Sequence, residues 1–264
     1  MEIKPVKIET SSYKIENIIE LQIGRNNYKT TASYDVLLKN SDSHKYDFVI
    51  DRGKISINGN TPDTKFLAVS DAYFSCLFPI QFILKSAKFQ VVNYTEIANR
   101  ISEKDNELKA YFTGDGIEYI SAAFLKQTNS EEKLQSFIVN LNLISAIQIS
   151  FQKFTKTEHL NWNILPLSNT FWAGNSAFEA ESNILNYNAA LQITSEFLEE
   201  LSHFASENHK ESDFEPTLFS SELNHTTEYL GADLKFRISK TQVNIKHPDF
   251  EYNEAFIIKS KTAN

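Results

Sequence analysis

Two neighbouring stretches, Tyr34-Asp35-Val36-Leu37-Leu38-Lys39 and Phe48-Val49-Ile50-Asp51-Arg52-Gly53-Lys54-Ile55-Ser56-Ile57, decide the fold class. In the first, Tyr34, Val36 and Leu38 alternate with Asp35, Leu37 and Lys39. In the second, Phe48 and Ile50 flank Val49, a turn is expected at Asp51-Arg52-Gly53, and Ile55 and Ile57 alternate with Lys54 and Ser56. Successive side chains of a strand point to opposite faces, so a period of two reads as strands. Upstream, Ile3, Val6 and Ile8 form an extended opening, and Ile15, Ile18, Ile19, Leu21 and Ile23 continue it to a turn at Gly24-Arg25-Asn26-Asn27. Downstream, Asn58-Gly59 ends the run. These connections are too short for parallel crossovers, so an antiparallel meander is expected. A second meander is expected from Tyr229 to Lys259.

Between the two, the period lengthens. Thr61-Pro62-Asp63 reads as a helix start, with Thr61 at N-cap and Pro62 at N1. The apolar-leaning run Phe66 to Leu84 reads as a buried helical segment, because Ser70, Asp71, Ser75, Pro79 and Gln81 make it a costly lipid span. A strand is expected at 88–93 and a helix at 94–109, with a turn at Gly114-Asp115-Gly116. Asn129-Ser130-Glu131-Glu132 has capping-box spacing, with Asn129 at N-cap and Glu132 at N3. Behind it Leu134, Phe137, Ile138, Leu141, Ile144, Ile147 and Phe151 form one apolar stripe of a core helix. From Leu160 the pattern is extended again, with an aromatic turn expected at Phe171-Trp172-Ala173-Gly174 and a strand at 187–193. A helix capped by Thr194 follows, with Phe197, Leu198, Leu201 and Phe204 facing inward. The expectation is an α+β protein: antiparallel β-meanders in the N- and C-terminal parts and a central helical region. It is organised as one domain over 1–264, or as two lobes, 1–155 and 156–264.

Composition narrows the function classes. A chain of 264 residues with 41% hydrophobic and 23% charged residues buries a core without disulfides or metals. Phe is abundant at 20 residues and Gly scarce at 7, which argues against Gly-rich phosphate loops. The formal charge of −8, from 34 acidic and 26 basic residues, repels nucleic acid and anionic lipid. Met1 to Thr10 has no apolar signal-peptide core, so the expected compartment is the cytoplasm, with no membrane insertion. The abundance of Asn, Lys, Ile and Phe fits a bacterial source. The lone Cys76, in Phe74-Ser75-Cys76-Leu77-Phe78, has no basic neighbour in sequence and reads as a buried structural thiol.

Catalytic signatures are missing from the sequence: no G-x-S-x-G elbow, P-loop, Rossmann glycine pattern, H-E-x-x-H or C-x-x-C. Glu-x-x-His occurs twice, as Glu200-Leu201-Ser202-His203 and Glu222-Leu223-Asn224-His225. On a helix, residues three apart share a face and can ligate one metal, but no four-helix framework surrounds these pairs. They read instead as two solvated helix-end histidines, and neither metal nor cofactor is expected. His44, His159, His209 and His247 lie in polar stretches. One asymmetry remains: Glu196, Glu199, Glu200, Glu207, Glu211, Asp213 and Glu215 lie close together in sequence, against the single cation Lys210. Such a segment is either solubilising surface or a docking patch for a basic partner. The leading reading is a non-catalytic bacterial protein-binding protein, namely an adaptor, assembly component or inhibitor. The second is a carrier of a small apolar ligand, with Phe66, Tyr73, Phe74, Phe78, Phe82 and Phe89 lining its pocket. A metal-dependent enzyme using the Glu-x-x-His pairs comes third.

Overall fold

The computed structural model describes residues 10–41, 47–85, 88–153, 157–164, 167, 170–208, 214–231 and 235–261. The opening strands β1 (Ser11–Ile23) and β2 (Asn26–Asn40) form a long hairpin in continuous register from Ile23↔Asn26 to Ser11↔Leu38. The strands β3 (Phe48–Arg52) and β4 (Ser56–Ile57) both pair with β2. After β4 the chain reverses through Asn58 and Gly59, with φ of 51° and 83°. An Asn-Gly pair suits that reversal because both central positions need positive φ. The hairpin of β5 (Ile80–Lys85) and β6 (Lys88–Val91) extends this side of the sheet.

On the other side of β1 lies the last strand of the chain. Strand β12 (Phe250–Ser260) pairs with β1 from Ile23↔Phe250 to Tyr13↔Ser260. Beyond it come β11 (Phe236–His247), β10 (Ser220–Tyr229), β9 (Ile184–Leu191), β8 (Phe171–Glu179) and β7 (His159–Asn161). Among the described residues, twelve antiparallel strands thus form one sheet, ordered β6-β5-β3-β2-β1-β12-β11-β10-β9-β8-β7, with β4 beside β2. The chain starts at the middle of the sheet, works out to β6, crosses through helices, re-enters at β7 and works back to β12. The fold is α+β as expected, and the two meanders are halves of the same sheet.

Burial alternates along the central strands, as a sheet covered on one face requires. In β12, Phe250, Tyr252, Glu254, Phe256 and Ile258 are buried while their neighbours are partly exposed. The crossing consists of α1 (Lys65–Ser75), before β5, and then α2 (Tyr94–Tyr111), α3 (Asp115–Thr128), α4 (Glu131–Val139) and α5 (Asn142–Ser150). A sixth helix, α6 (Ser195–Glu207), joins β9 to β10. Helix α5 packs on β11, and α4 packs on β6. At β6 two glutamines reach the strand backbone: Gln135 Oε1 accepts from Val91 N at 2.9 Å, and Gln148 Oε1 accepts from Phe89 N at 3.3 Å. Gln135 Nε2 also donates to Phe89 O at 3.4 Å.

Several local expectations are corrected. Thr64, not Thr61, caps α1, its hydroxyl accepting from Leu67 N at 3.2 Å. The run from Phe66 to Leu84 is not one helix. The helix stops at Ser75, a cis Phe78-Pro79 bond follows, and Ile80 and Phe82 then alternate as buried residues of β5. Proline lacks the N–H that would continue the helical ladder. The guanidinium of Arg100 in α2 secures this corner by donating to the carbonyls of Cys76, Leu77 and Pro79 at 2.9, 3.1 and 3.1 Å. Gly114-Asp115-Gly116 is more than a turn, since it begins α3. That helix buries Ile117, Ser121, Phe124 and Thr128, and the two hydroxyl residues hide its stripe from an apolar count. The expected helix through Phe151 is two helices, because Leu141 is extended (φ −63°, ψ 133°). Ser130, not Asn129, caps α4. The apolar stripe therefore turns a corner: Leu134, Ile138, Ile144 and Ile147 are buried, whereas Phe137 and Leu141 are half-buried. The expected aromatic turn at Phe171 to Gly174 is the start of β8.

Two measurements check this packing. A Cβ on Gly174 would lie 2.6 Å from Ala189 Cα and closer still to the Asn188 carbonyl, both backbone atoms of the paired strand. Gly174→Ala should cost at least about 1–3 kcal/mol in denaturant unfolding, as overpacking against backbone does. Ile144→Ala should cost roughly 2–5 kcal/mol, and Leu141→Ala clearly less, because only the first is fully enclosed.

Candidate functional site

Helix α6 is amphipathic by construction. The Thr194 hydroxyl accepts from Phe197 N at 3.2 Å and starts the helix. Phe197, Leu201 and Ala205 recur every fourth residue and are buried. That phase leaves Glu196, Glu199, His203 and Glu207 exposed, with Glu200 half-exposed. Glu199, Glu200, His203, Phe204 and Glu207 surround an open depression of about 600 Å³, completed by Tyr119 of α3 and by Leu167. The Tyr119 ring is 73% exposed, so an aromatic face stands beside the carboxylates. His203 Nδ1 lies 3.5 Å from Glu207 Oε1. Hydrogen bonds from its own backbone N–H and from Thr194 hold the Glu196 carboxyl below its usual range.

Of the seven acidic residues singled out in sequence, the structure gathers Glu199, Glu200 and Glu207 around this depression. Glu196 sits at the helix start and Glu215, also exposed, precedes a 3-10 turn at Pro216–Leu218; neither lines the depression. Glu211 and Asp213 lie outside the described residues, as do His44 and His209. Sequence reasoning missed Tyr119 and Leu167, since nothing in sequence pairs α3 or the 160s segment with α6.

The Glu-x-x-His pairs part company. Glu200 and His203 share a helix face, but Glu222 and His225 lie on strand β10, where residues three apart point to opposite faces. Glu222 is exposed and His225 is 1% exposed. Among the described residues, no group of three His, Cys, Asp or Glu is placed to hold a metal. His225 is therefore not a solvated helix-end histidine. Its Nδ1 is 2.8 Å from Thr241 Oγ1 and its Nε2 is 2.9 Å from Thr227 Oγ1. From α5, the Ser150 hydroxyl meets Thr227 Oγ1 at 2.8 Å and Ser239 Oγ at 3.1 Å. The Tyr229 hydroxyl donates to Ser150 O at 2.5 Å. Burial lowers the imidazole pKa to about 3, so the ring is neutral here. The whole group lies sealed between helix and sheet, and its chemistry is that of a buried clamp.

A second buried centre lies on β12. Glu254 is 4% exposed, and its Oε2 accepts from Trp162 Nε1 at 2.8 Å and from the Tyr252 hydroxyl at 2.9 Å. Asn142 Nδ2, at the start of α5, lies 3.4 Å from Oε1, and the same amide donates to Asn163 O at 2.9 Å. Burial pushes this carboxyl up, and hydrogen bonds from Trp162, Tyr252, Asn17 and Asn142 pull it back. The legible signal was a glutamate on the apolar face of an alternating strand.

The six aromatics proposed to line a carrier pocket are divided. Tyr73, Phe78, Phe82 and Phe89 are buried, and Phe82 packs on Phe48 and Phe89 with ring centroids 5.3 Å apart in both cases. Phe66 and Phe74 are 59% and 37% exposed, and Phe66 flanks a surface groove of about 400 Å³ with Lys65, Val69 and Tyr111. Cys76 is buried, and burial raises its thiol pKa, as a structural thiol requires.

The sequence matches no family model and no curated protein. Among solved structures, the chain is similar to one titled "Lipid-protein interactions in lipovitellin", with a TM-score of 0.44 and 9% identity. The likeness covers 98% of this chain and 25% of that one, so this chain spans about a quarter of its length. Among the described residues, no helix is long and apolar enough to cross a membrane.

The His225 clamp makes stability depend on pH. Its folded pKa lies below the unfolded value, so the unfolded chain binds more protons as pH falls below about 6.5. Urea unfolding free energy should fall by up to about 1.4 kcal/mol per pH unit below that point. His225→Gln should flatten the dependence whatever its stability at neutral pH. An equally steep profile in that variant would remove His225 from the account.

Proposed function

We propose that the protein is a non-catalytic binding component of a bacterial cytoplasm, an adaptor, assembly component or inhibitor, and that it docks a basic partner on α6. The observation that carries this reading is the gathering of Glu199, Glu200 and Glu207 around one depression beside the exposed Tyr119 ring. Carboxylates attract Lys and Arg at long range, and an aromatic face accepts the same cations at contact. The net charge of −8 strengthens the attraction and disfavours nucleic acid as the partner. The single cysteine, buried as a free thiol, suits a reducing compartment.

The test starts with affinity purification from the native organism, followed by association rates with the captured protein. Replacing Glu199 and Glu207 by Lys should slow association about tenfold at low salt, and the difference should shrink as salt rises, since exposed charges are screened beyond roughly 10 Å at 0.1 M. Folding stability should move by no more than about 0.5 kcal/mol. Tyr119→Ala should chiefly speed dissociation. Unchanged rates at every salt concentration would reduce α6 to solubilising surface.

A further inference from the structure

The sequence places His247 in a polar stretch, but the structure buries it. It ends the inner face of β11, following Thr241, Val243 and Ile245 at every second position, and is 8% exposed. Two phenylalanines pack against its ring, Phe219 at 4.7 Å between centroids and Phe214 at 5.1 Å, and against each other at 6.3 Å, so the three rings form one cluster. Both belong to the segment that leads from α6 into β10, and Phe219 also packs on Phe197 of α6 at 5.8 Å. The imidazole thus fastens that segment to the sheet.

Its hydrogen bonding fixes its protonation state. Nδ1 accepts from Asp249 N at 3.2 Å, so the neutral ring carries its proton on Nε2, and Nε2 is buried with no partner. A second proton would have to go on Nδ1, where it would face the Asp249 N–H, donor against donor. The charged ring would then carry two buried N–H groups, neither with an acceptor. Among the described residues, the charged groups that act on this ring are Asp249, in the turn between β11 and β12, and Glu215, beside Phe214. Both are carboxylates, and both favour the imidazolium. The ion pair of Lys246 and Glu251 belongs to the opposite face of the sheet, since residues adjacent to inward-facing His247 and Phe250 point outward. The neutral ring suits this buried cluster, whereas a charged ring would gain acceptors only by leaving it for solvent.

We propose that His247 is an acid-released latch. When neutral it holds Phe214 and Phe219 against the sheet; when protonated it leaves the ring cluster, and the segment around 214–219 opens, uncovering the Phe197 side of α6. Burial lowers the affinity of the ring for the proton, which sets release on the acid side of neutrality. Release does not depend on whether α6 docks a partner.

Hydrogen exchange of the whole chain, read by mass spectrometry and corrected for intrinsic rates, tests the latch. Between about pH 7.5 and about pH 5, protection of residues 214–219 should drop about tenfold by a local opening, separate from the global loss of stability that His225 causes. In His247→Phe, which keeps an aromatic ring in the cluster and cannot titrate, the tenfold local loss at 214–219 should be absent over that range. Two results would each overturn the latch: constant protection of 214–219 in the wild type, or an equal loss there in the variant. Should the variant fail to fold, histidine NMR on the wild type decides. The titration midpoint of the His247 ring must coincide with the opening midpoint, and midpoints more than about one pH unit apart would exclude the latch.

Discussion

The antiparallel pairing of β1 with β12 is the contact on which the rest of the sheet depends. Every other strand neighbour in the order is close in sequence or follows a helical crossing, but this one brings the first and last described strands together. It closes a circuit, and closing so long a loop forfeits chain entropy that only many contacts made together recover. The inner face supplies them: Tyr13, Ile15 and Ile23 from β1 and Phe250, Tyr252, Phe256 and Ile258 from β12 are all buried. Both halves of the sheet hang on this seam, so the helices can cover a single continuous face.

Polar groups are threaded through that covered face, and they lock its geometry. An unpaired buried polar group is costly, so each such group restricts how its surroundings can be arranged. Glu254 ties the seam to Trp162 and to the start of α5. Ser150, one turn beyond the buried Ile147 of the same helix, ties its end to Thr227 and Ser239. Helix α5 is thereby held at both ends by hydrogen bonds to the sheet, in addition to the apolar contacts of Ile144 and Ile147. Apolar packing alone would leave its rotation and slide less sharply defined.

Much of the architecture was legible in sequence, and the misreadings have identifiable causes. Alternation exposed the second half of β2 and strand β3, because burial on one face writes a period of two into the side chains. The Thr194 cap and the inward face of α6 were equally plain. Glycine misled at Gly174, where the residue does not break a strand but permits two strands to approach closely. Hydroxyl residues hid α3, because Ser121 bonds Asp105 and Thr128 bonds its own helix, so both are buried without being apolar. The histidines were judged by their polar sequence neighbours, but on a strand the neighbours point the other way. The face of His225 and His247 is shared with residues two positions off, which are apolar or hydroxyl-bearing. The depression on α6 was half legible: the carboxylates show in sequence, whereas Tyr119 and Leu167 arrive only through folding.

The glutamine contacts at β6 carry a consequence for how this protein avoids its own copies. The outermost strand of a sheet offers a row of backbone donors and acceptors, a template on which another chain can add itself and start an aggregate. A primary amide has the same donor and acceptor as a peptide group, so Gln135 and Gln148 stand in for the missing neighbour strand. They sit on α4 and α5, which means the template is masked only while those helices are docked. Masking of this edge is therefore a property of the helical layer, and loss of helix packing would lay the β6 template bare.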